Sequence, residues 1–125
     1  MSRSVDVVII GSGNVAEAFA RAVSGTEGLY LRQIFARNRE RGEYLACECG
    51  TKWCGEAEEL AEADLYIIAI SDRAVESVAR SLRFRPGAMV VHTAGSVPLA
   101  ALPEQGRQRY YSTAAAHFTT RKETK

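Results

Sequence analysis

The sequence predicts an α/β domain with a doubly wound parallel sheet in three αβα layers. Two observations carry that prediction. Short, nearly unbroken β-branched runs alternate with amphipathic stretches of helical period. A glycine-rich turn stands directly between the first such run and the first helical stretch. The length agrees, since 125 residues suit a single domain. At that size roughly two-thirds of the unfolded surface can be buried, enough to cover both faces of a sheet.

The elements follow in order. Val5–Ile10 reads as a strand buried on both faces, and Asn14–Ser24 as a helix with Val15, Ala18, Phe19, Ala22 and Val23 on its apolar face. Gly25 and Gly28 close that helix, and Leu29–Ala36 is the second strand. A polar helix over Arg39–Cys49 stops at Gly50, followed by a short strand, Thr51–Cys54, and a Glu/Ala-rich helix, Glu56–Ala63. Asp64–Ile70 repeats the buried-strand pattern. Asp72–Leu82 is a helix carrying Val75, Val78, Ala79 and Leu82 on one side. Ala88–His92 is the next strand, Pro98–Leu102 a short helical turn and Gln108–Ser112 a last strand, with Pro86-Gly87 and Pro103 punctuating the joins. Alternation at this spacing implies parallel pairing through right-handed crossovers. Residues 1–118 make up the domain, and 119–125, without an apolar side chain, are a polar tail or the start of a linker.

Bulk composition narrows the partners. Hydrophobic residues at 46% and charged residues at 25% argue for a folded chain and against disorder. A net charge of +1 provides no global field for nucleic acid or an anionic membrane, so neither is expected as a partner and any anion site must be local. Val5–Ile10, which follows Met1-Ser2-Arg3-Ser4, is too short for a signal-peptide core or a membrane span, and the expectation is a cytoplasmic protein. Cys47, Cys49 and Cys54 cluster, but a fourth zinc ligand is missing nearby, so free thiols and no metal are expected.

The chemistry begins at Gly11-Ser12-Gly13-Asn14-Val15-Ala16, a G-x-G-x-x-A string at the mouth of the first helix. Gly11 permits a tight turn, Gly13 leaves room for a pyrophosphate beside the backbone, and Ala16 lets helix and strand pack closely. The helix offers its unpaired N–H groups and positive end to the phosphates. With a strand before, a helix after and a second strand at the right distance, this is the fingerprint of a Rossmann dinucleotide site. At the end of the second strand, where an NAD site usually carries a carboxylate, the chain reads Phe35-Ala36-Arg37-Asn38-Arg39-Glu40-Arg41. Arg37 meets a 2′-phosphate dianion with charge-assisted bonds, so the expected cofactor is NADP. Asn38 adds an amide donor and caps the following helix. Arg39 and Arg41 can equally be a solvated helix start.

Two further segments, Ile68-Ala69-Ile70-Ser71-Asp72 and His92-Thr93-Ala94-Gly95-Ser96, complete a pattern. Over about residues 5–102 the chain resembles the N-terminal NADP-binding domain of the pyrroline-5-carboxylate reductase and deazaflavin-dependent NADP oxidoreductase superfamily. It is most similar to the branch of Rossmann-like proteins with a C-terminal domain of unknown function. The resemblance implies that Gly11, Ser12, Gly13, Asn14, Val15, Arg37, Asn38 and Arg39 contact the cofactor. It also implies that Ser71 and Asp72 run beside its nicotinamide side, where they double as caps of the next helix. It further implies a mostly helical second domain, absent from these 125 residues, that completes the substrate site and forms a homodimer.

His92 and Ser96 are the weak catalytic candidates. Both fall at the carboxyl edge of the sheet, where His92 is either a general acid–base or a structural donor, and Ser96 either a substrate contact or a helix cap. Two functions stay open at this point: the cofactor domain of an oxidoreductase acting on an unidentified small molecule, or an NADP-binding sensor or interaction module without catalysis.

Overall fold

A computed structural model describes residues 4–70, 72–93 and 109–112. The chain order is β1 (Val5–Ile10), α1 (Asn14–Ser24), β2 (Leu29–Phe35), α2 (Arg39–Cys49), β3 (Trp53–Cys54), a 3-10 turn (Ala57–Glu59), β4 (Leu65–Ile68), α3 (Asp72–Ser81), β5 (Met89–His92) and β6 (Arg109–Ser112). The six strands form one sheet in the order β3-β2-β1-β4-β5-β6, and every pairing is parallel. Strand order reverses between β1 and β4, and that switch point opens a crevice at the carboxyl ends of the strands.

Side chains leave a strand alternately to its two faces, so β1 can be apolar throughout only if both faces are covered. They are. Val7 and Ile9 pack with Ala16, Ala20 and Leu45 of α1 and α2. Val8 and Ile10 pack with Tyr66, Ile68 and Val90 and, from the α3 side, Ala79 and Leu82. These two clusters are the inner surfaces of the three layers.

The β1–β2 register steps from Val7↔Leu31 to Val8↔Gln33, leaving Arg32 bulged out. As a result Leu31 and Ile34, three residues apart, share one face, while Arg32 reaches the half-buried Asp6 at 3.5 Å.

The face expected for α1 needs correction. The buried stripe is Ala16, Ala20 and Val23, with Phe19 partly buried beside it. Ala18 and Ala22 are exposed, and Val15 keeps 50% of its surface. Small residues at i and i+4 let the helix lie close to the sheet, and that closeness outweighs the bulk of Val15.

The helix expected over Glu56–Ala63 is a second correction, because only the single turn Ala57–Glu59 forms. The crowded carboxylates of Glu56, Glu58, Glu59 and Glu62 have no apolar stripe to dock, and side chains from the sheet take over the backbone groups. Buried Gln33 donates to the Glu59 carbonyl (3.0 Å) and accepts from the Ala61 N–H (2.9 Å). The Tyr66 hydroxyl donates to the Ala61 carbonyl (2.8 Å) and accepts from the N–H groups of Ala63 (3.0 Å) and Arg85 (3.2 Å).

The remaining ends differ from expectation by one or two residues, as helix and strand termini do. Pro98–Leu102, Ser71, Ser96 and the tail beyond Ser112 lie outside the described residues. Among the described residues no helix is long and apolar enough to cross a membrane.

Candidate functional site

A cleft of about 570 Å³ lies at the switch point. Its walls are the glycine turn from Gly11 to Val15 and the turn after β2, Ala36-Arg37-Asn38. Ala69 and Ile70 after β4, Ala74 and Val78 of α3, and Thr93 after β5 line the rest.

The two glycines of the first turn are needed for different reasons. Gly11 has φ +129°, and a side chain there would run into the Ala69 carbonyl. Gly13 has ordinary extended angles (φ −81°, ψ −166°), yet a Cβ built on it meets no atom within 4 Å. It is therefore a gap in the wall, and it N-caps α1 with no side-chain hydrogen bond to the helix. The first-turn N–H groups of α1 are thus left to whatever enters the cleft.

Strand-end peptides hold these turns in place. The Gly11 N–H donates to the Phe35 carbonyl (2.7 Å), Ala69 to Ile10 (2.8 Å), Ala36 to Cys54 (3.0 Å) and Thr93 to Ile68 (3.1 Å). The Ala36 carbonyl accepts from the Trp53 indole N–H (2.9 Å). The indole itself lies where a side chain on Gly42 or Gly55 would have to be, so those glycines make its seat.

The arginines after β2 separate. Arg37 is exposed, lines the cleft and pairs with no carboxylate among the described residues. It is also the sole charged residue among the described residues of the lining. Arg39 turns away to Glu43 (3.0 Å) and lies over the Trp53 ring at 5.5 Å, outside the lining. Asn38 lines the cleft and caps α2, accepting from the Arg41 N–H at 3.0 Å.

Arg41, read from sequence as a helix start, instead donates through Nε to the Ser12 carbonyl (3.0 Å) and through a terminal nitrogen to Glu17 (3.2 Å). Glu17 also pairs with Arg21 at 2.8 Å. The Arg21 guanidinium first, and Arg41 second, hold the Glu17 carboxyl below the usual glutamate range. Only the three-dimensional approach of α2 to the glycine turn reveals this contact.

At β5 the structure divides the expected segment. His92 is fully buried, in register with Ile68 and Ser112 and on the same side of its strand as Val90, while the next residue, Thr93, lines the cleft. Strand alternation was the available signal for Thr93. Asp72 opens α3.

Cys47 is exposed, Cys49 half-buried and Cys54 buried, with the Cys54 thiol directed at the Glu56 carbonyl (3.2 Å) and its pKa pushed up by burial. Among the described residues no three His, Cys, Asp or Glu side chains are grouped to hold a metal.

Comparison with known proteins places this geometry. The chain is similar in structure to a Bacteroides fragilis protein classed as an NADP oxidoreductase, with 29% identity and a TM-score of 0.71, covering 80% of this chain and 41% of that one. It also resembles 1-pyrroline-5-carboxylate reductase from Streptococcus pyogenes, with 23% identity and a TM-score of 0.66, over 80% of this chain and 38% of that one. GenD2 from gentamicin A biosynthesis, solved with NAD, shares the fold at 18% identity and a TM-score of 0.71, over 98% of this chain and 41% of that one. The chain thus spans about two-fifths of the length of these structures. No curated protein matches the sequence. Residues 6–95 match the family described as NADP oxidoreductase, coenzyme F420-dependent. On that match, which takes in the glycine turn, Arg37 and Thr93, the chain belongs to the coenzyme F420-dependent NADP oxidoreductase family.

Proposed function

We propose that the cleft holds NADP(H) as the cofactor of an oxidoreductase, with the adenosine 2′-phosphate on Arg37 and the pyrophosphate on the glycine turn. The observation that carries this reading is Arg37: a cation with no ion-pair partner among the described residues, in a cleft whose described lining contains no carboxylate. A ribose hydroxyl pair would be served by a carboxylate acceptor, whereas a phosphate dianion calls for a guanidinium.

The open space at Gly13 and the uncapped start of α1 suit a pyrophosphate, which accepts from backbone N–H groups without a side chain in the way. Asn38 supports the same end of the cofactor. Arg39, engaged with Glu43 and Trp53, steadies the turn from outside. Ala69, Ile70, Ala74, Val78 and Thr93 form a largely apolar far wall, suited to the nicotinamide ring. Bound NADP(H) supplies the hydride chemistry; the protein positions it and shields it from water. His92, buried in the sheet, supports the Thr93 strand end from behind. The substrate is a small molecule completed in its site by residues outside this domain, and a homodimer formed there belongs to the same proposal.

Calorimetric titration tests the reading. NADPH is expected to bind at least about tenfold more tightly than NADH, equivalent to about 1.4 kcal/mol. Arg37→Asp should erase the difference. Equal affinities for the two cofactors in the parent chain would overturn the assignment.

A further inference from the structure

The edge strand holds Ala36 at both of its backbone groups. The Ala36 N–H donates to the Cys54 carbonyl at 3.0 Å, an ordinary ladder bond. Its carbonyl instead accepts a side chain, the Trp53 indole N–H, at 2.9 Å. Ala36 is a wall residue of the cleft, and Arg37 is the next residue of that wall. All described peptides are trans, so the C=O and N–H of the Ala36–Arg37 peptide lie on opposite sides. With its oxygen drawn to Trp53 of β3, that peptide turns its N–H, and not its C=O, away from β3.

The fold makes room for this one contact. The half-buried indole occupies the space that a side chain on Gly42 or Gly55 would need. Gly42 lies inside α2, where glycine weakens a helix, so the seat is made at a cost to local stability. The strand pairing fixes the other end of the side chain: Trp53 is in register with Ile34, whose N–H donates to the Lys52 carbonyl at 2.8 Å.

We propose that Trp53 is a positioning residue that sets the choice between the two dinucleotides, by keeping the Ala36 carbonyl away from the 2′ position of the adenosine ribose. A carbonyl oxygen only accepts hydrogen bonds. Turned towards a 2′-phosphate it would repel the dianion, whereas turned towards a 2′-hydroxyl it would receive a hydrogen bond. Held by the indole it does neither. Selectivity at this turn then has a part besides Arg37, the withdrawal of an acceptor that NADH would use. The proposal rests on the reading that this turn receives the 2′-phosphate.

Trp53 is the single tryptophan of the chain, which permits a test at one atom. Expression with benzothienylalanine in place of tryptophan puts sulfur where the indole N–H was and keeps the shape of the ring. Binding of NADPH and NADH is then measured by calorimetry on the parent chain, the analogue and Trp53→Phe, with thermal melting of each. The analogue should bind NADPH about fivefold more weakly and NADH undiminished, so that the ratio of affinities narrows by that factor. Trp53→Phe should shift the ratio in the same direction, and it carries the comparison if the analogue does not fold. An unchanged ratio in the analogue would overturn the proposal. So would equal losses for the two dinucleotides, the result a merely structural role produces. Equal affinities in the parent chain would overturn the 2′-phosphate reading itself, and this one with it.

Discussion

Gly11 and Gly13 stand two residues apart in one turn, yet substituting them should damage different properties. At Gly11 an alanine must adopt φ +129°, a region L-residues avoid, at about 1–3 kcal/mol. It must also displace the Ala69 carbonyl, next to a peptide whose N–H bonds to Ile10. Together these put Gly11→Ala at about 3 kcal/mol, a fall in melting temperature on the order of 10 °C for a domain of this size. Gly13→Val meets neither obstacle. Its backbone is extended and its Cβ enters open space, so the remaining cost is the poorer N-cap preference of valine, about 1 kcal/mol. The side chain then fills the volume assigned to the pyrophosphate and covers the start of α1. NADPH affinity should fall at least about a hundredfold, or about 2.7 kcal/mol. Thermal melting and calorimetry on the same preparations separate the two effects. A Gly13→Val chain with undiminished NADPH affinity would refute the placement of the phosphates, and a Gly11→Ala chain with the parent melting point would refute the strain argument.

Tyr66→Phe should lower stability by about 2–4 kcal/mol, seen as an earlier urea midpoint, because Ala61, Ala63 and Arg85 lose their backbone partner together. Those residues precede β4 and β5 and so lie at the end of the sheet away from the cleft, and dinucleotide affinity should not change. Trp53→Phe removes the donor that fixes the Ala36 carbonyl, and should narrow the preference for NADPH over NADH while NADH binding holds. The Glu17 carboxyl sits with Arg21 of its own helix and Arg41 of α2, with Glu48 also against Arg21. Its folded pKa is depressed, so the stability it contributes is fully present above the ordinary glutamate value of about 4.3 and is lost as pH falls through the folded value. Glu17→Gln should therefore flatten the acid limb of a stability–pH profile measured by denaturant titration, and an unchanged limb would remove Glu17 from the account.

How far the sequence speaks depends on the range of the forces involved. The unbroken run Val7-Val8-Ile9-Ile10 and the motif from Gly11 to Ala16 are local, and each fixes its element and its place at the sheet edge. Asn38 and Gly50 likewise bound α2 as caps, the latter in a left-handed conformation. Misreadings arise where a distant partner decides. Glu56–Ala63 has helical composition, but Gln33 and Tyr66 claim its backbone. The α1 stripe was hidden because Ala16 and Ala20 are less apolar than Val15, and only contact with the sheet makes smallness an advantage. At the site, Arg37 follows from topology, whereas the separate fates of Arg39 and Arg41 depend on where Trp53, Ser12 and Glu17 arrive.

The loops around the cleft are bonded to neighbouring strands rather than to themselves, through the pairs Gly11–Phe35, Ala36–Cys54, Ala69–Ile10 and Thr93–Ile68. Fixing one residue's backbone costs about 1–2 kcal/mol of entropy, and here folding of the sheet has already met that cost. A ligand arriving at these four strand ends finds their backbone already placed. At these four points its arrival requires diffusion and orientation but no ordering of backbone. Variation among ligands, or among side chains of the rim, is expressed in how long the complex lasts.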